Sequence, residues 1–198
     1  MAFTVLRRRD HTSMAWRNGG GRTLEVISDP AGAGIDDFGW RVSFAEVGAP
    51  GPFSAFPGVD RVLTLVQGDL TLSVDGAATP ITRFAPYAFL GEAVVAGVSQ
   101  GPSVDLNLMT RRGRFTGDVE CLTLECGTRT VTPTAGAAHS LIAVLHGHVR
   151  VLAPSGTSVE LSALDVVTGM DAPVVLGGSG TVAAITVLAG SGAQHLSA

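Results

Sequence analysis

Gly51–Gly68, GPFSAFPGVDRVLTLVQG, is the stretch whose reading decides the fold. It opens with a proline- and glycine-punctuated loop. It then runs through Val59–Gln67, an extended segment rich in β-branched and aliphatic residues, and stops at a glycine. LTLSVDG follows at once and ends in an Asp-Gly turn signal at Asp75-Gly76. Two short apolar runs separated by a glycine predict a β-hairpin of core strands that turns at Gly68.

The same grammar extends outward in both directions. WRVSFAEV from Trp40, VDLNLM from Val104, LIAVLHG from Leu141, VRVLAPSG from Val149 and TVAAITVLAG from Thr181 are short and closed by turn residues. Turn signals recur about every 8–12 residues, and no long window carries helical periodicity. The expected fold is all-β, with one or two short helical turns at most.

The chain also repeats itself. VLTLVQGDLTLSVDG from Val62 resembles LIAVLHGHVRVLAPSG from Leu141, and Gly68 matches Gly147 at an offset of 79. The same offset sets Phe84–Tyr87 on Ala163–Val166 and Asp105–Leu108 on Ala184–Val187. Two copies of one jelly-roll-like β unit are therefore predicted. The boundary is expected where RRGRFTG (Arg111–Gly117) interrupts the apolar pattern, giving units 1–117 and 118–198. The copies differ chemically. Asp60, Arg61, Asp105 and Asn107 in the first stand against His139, Ser140, Ala184 and Thr186 in the second. A ligand pocket in the first copy and a structural or interface role for the second follow.

Composition bounds the function. At 198 residues with 45% hydrophobic and 15% charged content, the chain buries a sizeable core and is not intrinsically disordered. A net charge of −4 gives no general attraction to nucleic acid or anionic membranes. Arg7–Arg9 is read as a solvated strand end. All thirteen basic residues are arginine, so a lysine Schiff base is excluded. No apolar run reaches the roughly 18 residues of a membrane span, and none before Arg7 is long enough for a secretory signal. Cys121 and Cys126 are five apart on an extended segment, face opposite ways and are not expected to pair. A reducing, cytoplasmic setting is the simplest expectation.

Two resemblances sharpen this reading. Gly51–Gly68 looks like a cupin core motif without its metal ligands. Counted back from Gly68, the usual glutamate position is Arg61, and the usual His-x-His pair falls near Ser54 and Phe56. Arginine does not shed its proton to coordinate a metal, and phenylalanine has no lone pair. No metal or other cofactor is therefore expected. Trp16-Arg17-Asn18-Gly19-Gly20-Gly21-Arg22-Thr23-Leu24-Glu25, Trp40-Arg41-Val42-Ser43, Gly51–Arg61 and Asp105-Leu106-Asn107-Leu108-Met109 with Arg111-Arg112-Gly113 resemble, in order, the motifs of the HutD/Ves family. The resemblance covers about residues 1–117 well and the rest loosely. It implies a bicupin, two cupin-type jelly-roll barrels in one chain, associated with histidine-utilisation genes. It further implies a protein that binds a small pathway intermediate and restrains flux rather than catalysing a step. A Ves branch of the family is linked to stress instead.

The candidate site is built from these blocks. Arg41 and Ser43 share one strand face, as do Asp105, Asn107 and Met109. Turned inward they line a pocket; turned outward they are ordinary solvated faces. Arg61 is the central expectation, because a guanidinium binds a carboxylate through two parallel hydrogen bonds. Asp60 either orients Arg61 or is exposed at the strand start, and Arg61 has the alternative of a structural ion pair with Asp60, Asp69 or Glu46. Asn18 and Asn107 suit an amide or formyl group, Ser54 and Ser43 add polar contacts, and Trp16, Phe53 and Phe56 form an apolar wall. The Gly19–Gly21 run either cradles an anion or makes a bulge or tight turn into a strand.

Urocanate, formiminoglutamate and formylglutamate are carboxylates of the expected kind. The rival readings are an isomerase or hydrolase, with Asp60, Asp105 and Glu25 as its acid–base candidates, and an interaction module. A homodimer is consistent with the mean hydropathy of +0.36. His146-Gly147-His148 imitates a metal pair but falls on the hairpin turn, and no Cys/His spacing fits zinc.

Overall fold

The computed structural model describes residues 3–16 and 19–190. Its strands are β1 (Thr4–Leu6), β2 (Thr12–Ala15), β3 (Gly21–Asp29), β4 (Trp40–Val47), β5 (Gly51–Pro52), β6 (Val59–Gln67), β7 (Thr71–Val74) and β8 (Ala77–Pro80). They continue as β9 (Pro86–Leu90), β10 (Val95–Val98), β11 (Ser103–Arg111), β12 (Phe115–Val131), β13 (Ala137–Leu152), β14 (Ser158–Ser162), β15 (Val166–Thr168) and β16 (Val174–Ala189). Among the described residues the only helix is a single 3-10 turn, Arg8–Asp10. The chain is all-β, as its punctuated apolar runs require.

Two compact units form. One holds residues 12–116 with Gly190, the other residues 3–11 with 117–189. Residues 3–11 thus fold with the later half of the chain, because β1 pairs antiparallel with β15. Asp165 accepts hydrogen bonds from Arg7 Nη1 at 2.8 Å, from the Arg8 amide at 2.9 Å and from the Ser162 amide at 3.0 Å. Burial pushes the Asp165 carboxyl up, but these donors outweigh it and hold the group below the usual aspartate range.

The unit of residues 12–116 has two sheets. The larger runs β2-β3-β4-β11-β6-β9 and the smaller β5-β10-β7-β8. Leu63, Leu65 and Phe89 of the larger sheet pack against Leu72 and Val95 of the smaller, with Leu70 and Ile81 at the turns. This contact sets which face of β4, β6 and β11 looks inward. The direct cross-strand partners Ala45–Asp105–Leu65, Ser43–Asn107–Leu63 and Arg41–Met109–Arg61 share that face. Val42, Phe44, Leu106 and Leu108 occupy the other, which is also buried.

In the unit of residues 117–189, one sheet runs β1-β15-β13-β16-β12, with β14 also paired to β13. Its core is aliphatic: Ile142, Val144, Val149, Val151, Leu161, Val182 and their neighbours. Fully burying such side chains contributes about 1.5–3 kcal/mol each.

The internal repeat is real in the strand pairings, but its offset is not constant. Gly68 and Gly147 both sit at positive φ, 79° and 81°. A Cβ on Gly68 would lie 2.7 Å from the Pro102 carbonyl oxygen, and one on Gly147 would lie 2.7 Å from Gly180 Cα. Each glycine therefore lets the next strand cross close by. Leu63 pairs with Asn107, and Ile142, its counterpart, pairs with Ala184. The last strand thus aligns at an offset of 77, so Asp105 matches Val182 rather than Ala184, and Asn107 matches Ala184. The positive-φ residues Phe84 and Leu164, whose amides donate to Leu65 and Val144, align at 80. Loop lengths differ between the copies, and a single numerical offset cannot absorb that. A shift of two keeps each residue on its face, so the chemical contrast survives. Arg61, Asp105 and Asn107 are replaced by Ser140, Val182 and Ala184.

Candidate functional site

Asp105 and Asn107 are two apart on β11, so alternation alone puts them on one face. Sheet pairing then brings Arg61 and Arg41 to flank Met109 from either side. Arg61, Arg41, Asp105 and Asn107 are 6%, 4%, 0% and 4% exposed. Four polar side chains, three of them ionisable, are thus taken from water, which is costly unless they satisfy one another.

They do so in part. Arg61 Nη2 donates to Asn107 Oδ1 at 3.0 Å, and Asn107 Nδ2 donates in turn to Asp105 Oδ1. Arg61 Nη1 reaches the Ser54 carbonyl at 3.4 Å. Arg41 Nε donates to Glu25 Oε2 at 2.6 Å, and Ser28 Oγ donates to the other Glu25 oxygen at 3.3 Å. Arg61 Nε, Arg41 Nη2 and Asp105 Oδ2 are buried without a hydrogen-bond partner among the described residues. Two guanidinium donors and one carboxyl oxygen are therefore left with unused capacity.

The surroundings are aromatic. The Arg61 guanidinium carbon lies 4.9 Å from the Phe89 ring centroid, 5.4 Å from that of Phe56 and 5.8 Å from that of Phe53. These rings attract the cation through their faces. Burial lowers the Arg61 guanidinium to about 10, against the opposing pull of Asp105 and with a further push from Arg41. Burial raises the Asp105 carboxyl to about 7, held back by the charge of Arg61 and the Asn107 hydrogen bond. Arg61 stays a cation at neutral pH, while Asp105 sits at its titration point.

The structure joins Arg61, Arg41, Ser43, Asp105, Asn107, the Ser54 backbone, Phe53 and Phe56 on or around one inner face. Trp16 closes its edge, with its ring 6.3 Å from that of Phe53 and its Nε1 donating to Thr23 Oγ1 at 2.9 Å. Asp60 does not join them. It points to the opposite side of β6, is partly exposed and pairs with Arg112 at 2.8 Å. Glu46 pairs with Arg22 and Asp69 accepts from the Gln100 amide, so neither holds Arg61. Asn18 lies outside the described residues. Gly19–Gly21 lies in the turn into β3, where the Gly20 carbonyl accepts the Gly48 and Ala49 amides.

Two participants were not picked out for these roles from the sequence. Phe89 is the direct cross-strand partner of Arg61, and only the β6–β9 register reveals it. Glu25 figured as an acid–base candidate and proves to be the ion-pair partner of Arg41. The bulge between Glu25 and Ile27 changes the register of β3 against β4 at that point.

The model of the HutD family matches residues 8–184. The chain belongs to the HutD family. It is 41% identical over 114 residues to an uncharacterized 21.2 kDa protein in the hutC 3′ region of Pseudomonas putida, covering 56% of this chain and 60% of that protein. It is 39% identical over 136 residues to protein Ves of Citrobacter koseri, 67% of each chain. Among solved structures, HutD from Pseudomonas fluorescens SBW25 (formate condition) superposes with a TM-score of 0.79 at 30% identity, covering 95% of this chain and 99% of that one. A cupin 2 conserved barrel domain protein from Leptotrichia buccalis shares the fold with a TM-score of 0.54 at 9% identity, covering 84% and 88%. The chain is therefore cupin-like in fold.

Cupin folds commonly carry a metal, and the inner face of this protein does not fit one. It offers two guanidinium cations, an amide, one carboxylate already engaged by Arg41 and a second carboxylate beside Arg61, with no imidazole. A divalent ion placed there would meet the buried charges of Arg41 and Arg61 with too few anionic ligands to offset them. Among the described residues, no three or more His, Cys, Asp and Glu converge anywhere. No helix among them is long and apolar enough to cross a membrane.

Proposed function

We propose that this HutD-family protein is a non-enzymatic binder of a small carboxylate, held on the inner face of the unit of residues 12–116. One observation carries the reading. Two buried arginines, Arg61 and Arg41, each keep a guanidinium nitrogen without a partner among the described residues. Buried polar groups are normally satisfied, and unsatisfied guanidinium donors call for an anion. Arg61 clamps the carboxylate. Arg41, Ser43 and Asn107 contact the rest of the ligand, and Phe53, Phe56, Phe89 and Trp16 exclude water.

The gene neighbourhood named for the Pseudomonas putida relative supports a ligand from histidine utilisation, such as urocanate, formiminoglutamate or formylglutamate. Occupancy would then regulate that pathway in the cytoplasm. The two-unit repeat supports a bicupin of two barrels, the second structural or self-associating; light scattering tests for the homodimer that the apolar composition suggests.

The test is thermal stability with and without each of these acids and glutamate. A specific ligand at 100 times its dissociation constant adds about 2.7 kcal/mol. A selective upward shift that Arg61→Ala abolishes supports the binder. No shift with any carboxylate removes it.

A second reading has its own observation. Asp105 is held near neutrality beside a cation, the condition of a general acid–base. Turnover of one of these acids followed by NMR, lost in Asp105→Asn, would establish an enzyme instead.

A further inference from the structure

We propose that Asp105 shares one proton with the carboxylate that Arg61 holds, so that the site takes up a proton together with its ligand. This rests on the carboxylate reading above and adds the protonation state in which the ligand is held.

Arg61, Asn107 and Asp105 form one hydrogen-bonded chain, and each end keeps an open atom, Arg61 Nε and Asp105 Oδ2. An anion docked on Arg61 places a second negative charge close to Asp105, and both draw on Arg61, because the other cation of this face, Arg41, is already paired with Glu25. Two carboxylates in one desolvated site do not both stay ionised; one keeps a proton and donates it to the other. The proton comes from solvent, so one anion and one proton enter and the net charge of the site is unchanged.

The neighbouring groups leave no other acceptor for that proton. On the inner face, β6 contributes Arg61, β4 contributes Arg41, β3 contributes Glu25 and β9 contributes Tyr87. Glu25 is committed to Arg41, and Tyr87 is a phenol rather than a carboxylate. The covering sheet, β5, β7, β8 and β10, contains no titratable side chain at all. Burial has already brought the Asp105 carboxyl near neutrality without a ligand anion, so the added charge moves it fully to the protonated form.

Calorimetric titration of the full-length protein with formylglutamate and with formate tests this, since neither acid titrates between pH 6 and 8. At pH 8, two buffers of different ionisation enthalpy should report uptake of about one proton per carboxylate bound. Affinity should be level below about pH 7 and fall about tenfold per pH unit above it. Asp105→Asn, which mimics the protonated group, should bind with a flat pH profile, and Glu25→Gln should keep the wild-type slope. Binding without proton uptake, or an unchanged slope in Asp105→Asn, overturns the inference while leaving the carboxylate site standing. If Asp105→Asn does not fold, the wild-type proton count decides alone. No binding of either acid counts against the carboxylate site itself.

Discussion

Arg61 and Asn107 are diagonal neighbours on adjacent strands, and the arginine reaches across the ladder to donate to the amide oxygen at 3.0 Å. Asn107 faces Leu63, and Arg61 faces Met109. Diagonal pairs lie farther apart than direct ones, and only long side chains span them. The contact makes Asn107 the hinge of the site, because its other end holds Asp105. Replacing Asn107 with leucine, of similar size, deprives a buried cation and a buried carboxyl of their shared partner at once. We expect a loss of about 2–4 kcal/mol in unfolding free energy, read from urea denaturation. A loss below 1 kcal/mol would show that water replaces the amide.

Arg61→Ala should weaken a bound carboxylate by about 2–5 kcal/mol, measured by titration calorimetry on folded protein. Asp60→Asn is the control, because Asp60 faces Arg112 on the outside of β6. Its affinity should match wild type. An equal loss in both variants would mean that the effect is structural.

The raised Asp105 carboxyl makes stability depend on pH with a definite sign. Below the unfolded-state value, near 4, Asp105 is protonated in both states and its favourable contribution is complete. Between there and about 7 the folded state holds the proton and the unfolded state does not. Stability therefore falls as pH rises through that window and levels above it. Asp105→Asn should remove this slope and make the protein more stable than wild type at pH 8. Chemical denaturation at pH 5 and pH 8 for both proteins checks it, and parallel profiles would reject it.

Asp165 predicts the opposite sign. Its carboxyl is held below the usual range, so its contribution is present at neutral pH and is lost as pH falls through its titration. Asp165→Ala should cost about 1–3 kcal/mol and free residues 3–11. Hydrogen exchange at the Arg8 amide, which donates to Asp165, should accelerate while the β13 amides stay protected.

Gly21→Ala tests the Trp16 edge of the site. A Cβ there would run into the Glu46 carbonyl oxygen and lie 3.0 Å from the Trp16 ring. We expect destabilisation of about 1–3 kcal/mol and an altered Trp16 fluorescence. Unaltered emission would mean that the turn relaxes without moving the indole.

The sequence by itself determined the β class and the identity of most of the inner-face polar residues. Alternation and turn chemistry are local, and they are written into Val59–Gly68 and its echo at Leu141 onward. The lopsided chemistry of the two copies was equally legible, because a shift of two in alignment does not change a residue's face. Tertiary structure decided what depends on pairing between distant segments. It sent residues 3–11 to the later unit through Asp165 and set Phe89 opposite the guanidinium. It also made Glu25 the partner of Arg41. These follow from strand register, bulges and loop lengths, which decide which residues meet across a sheet.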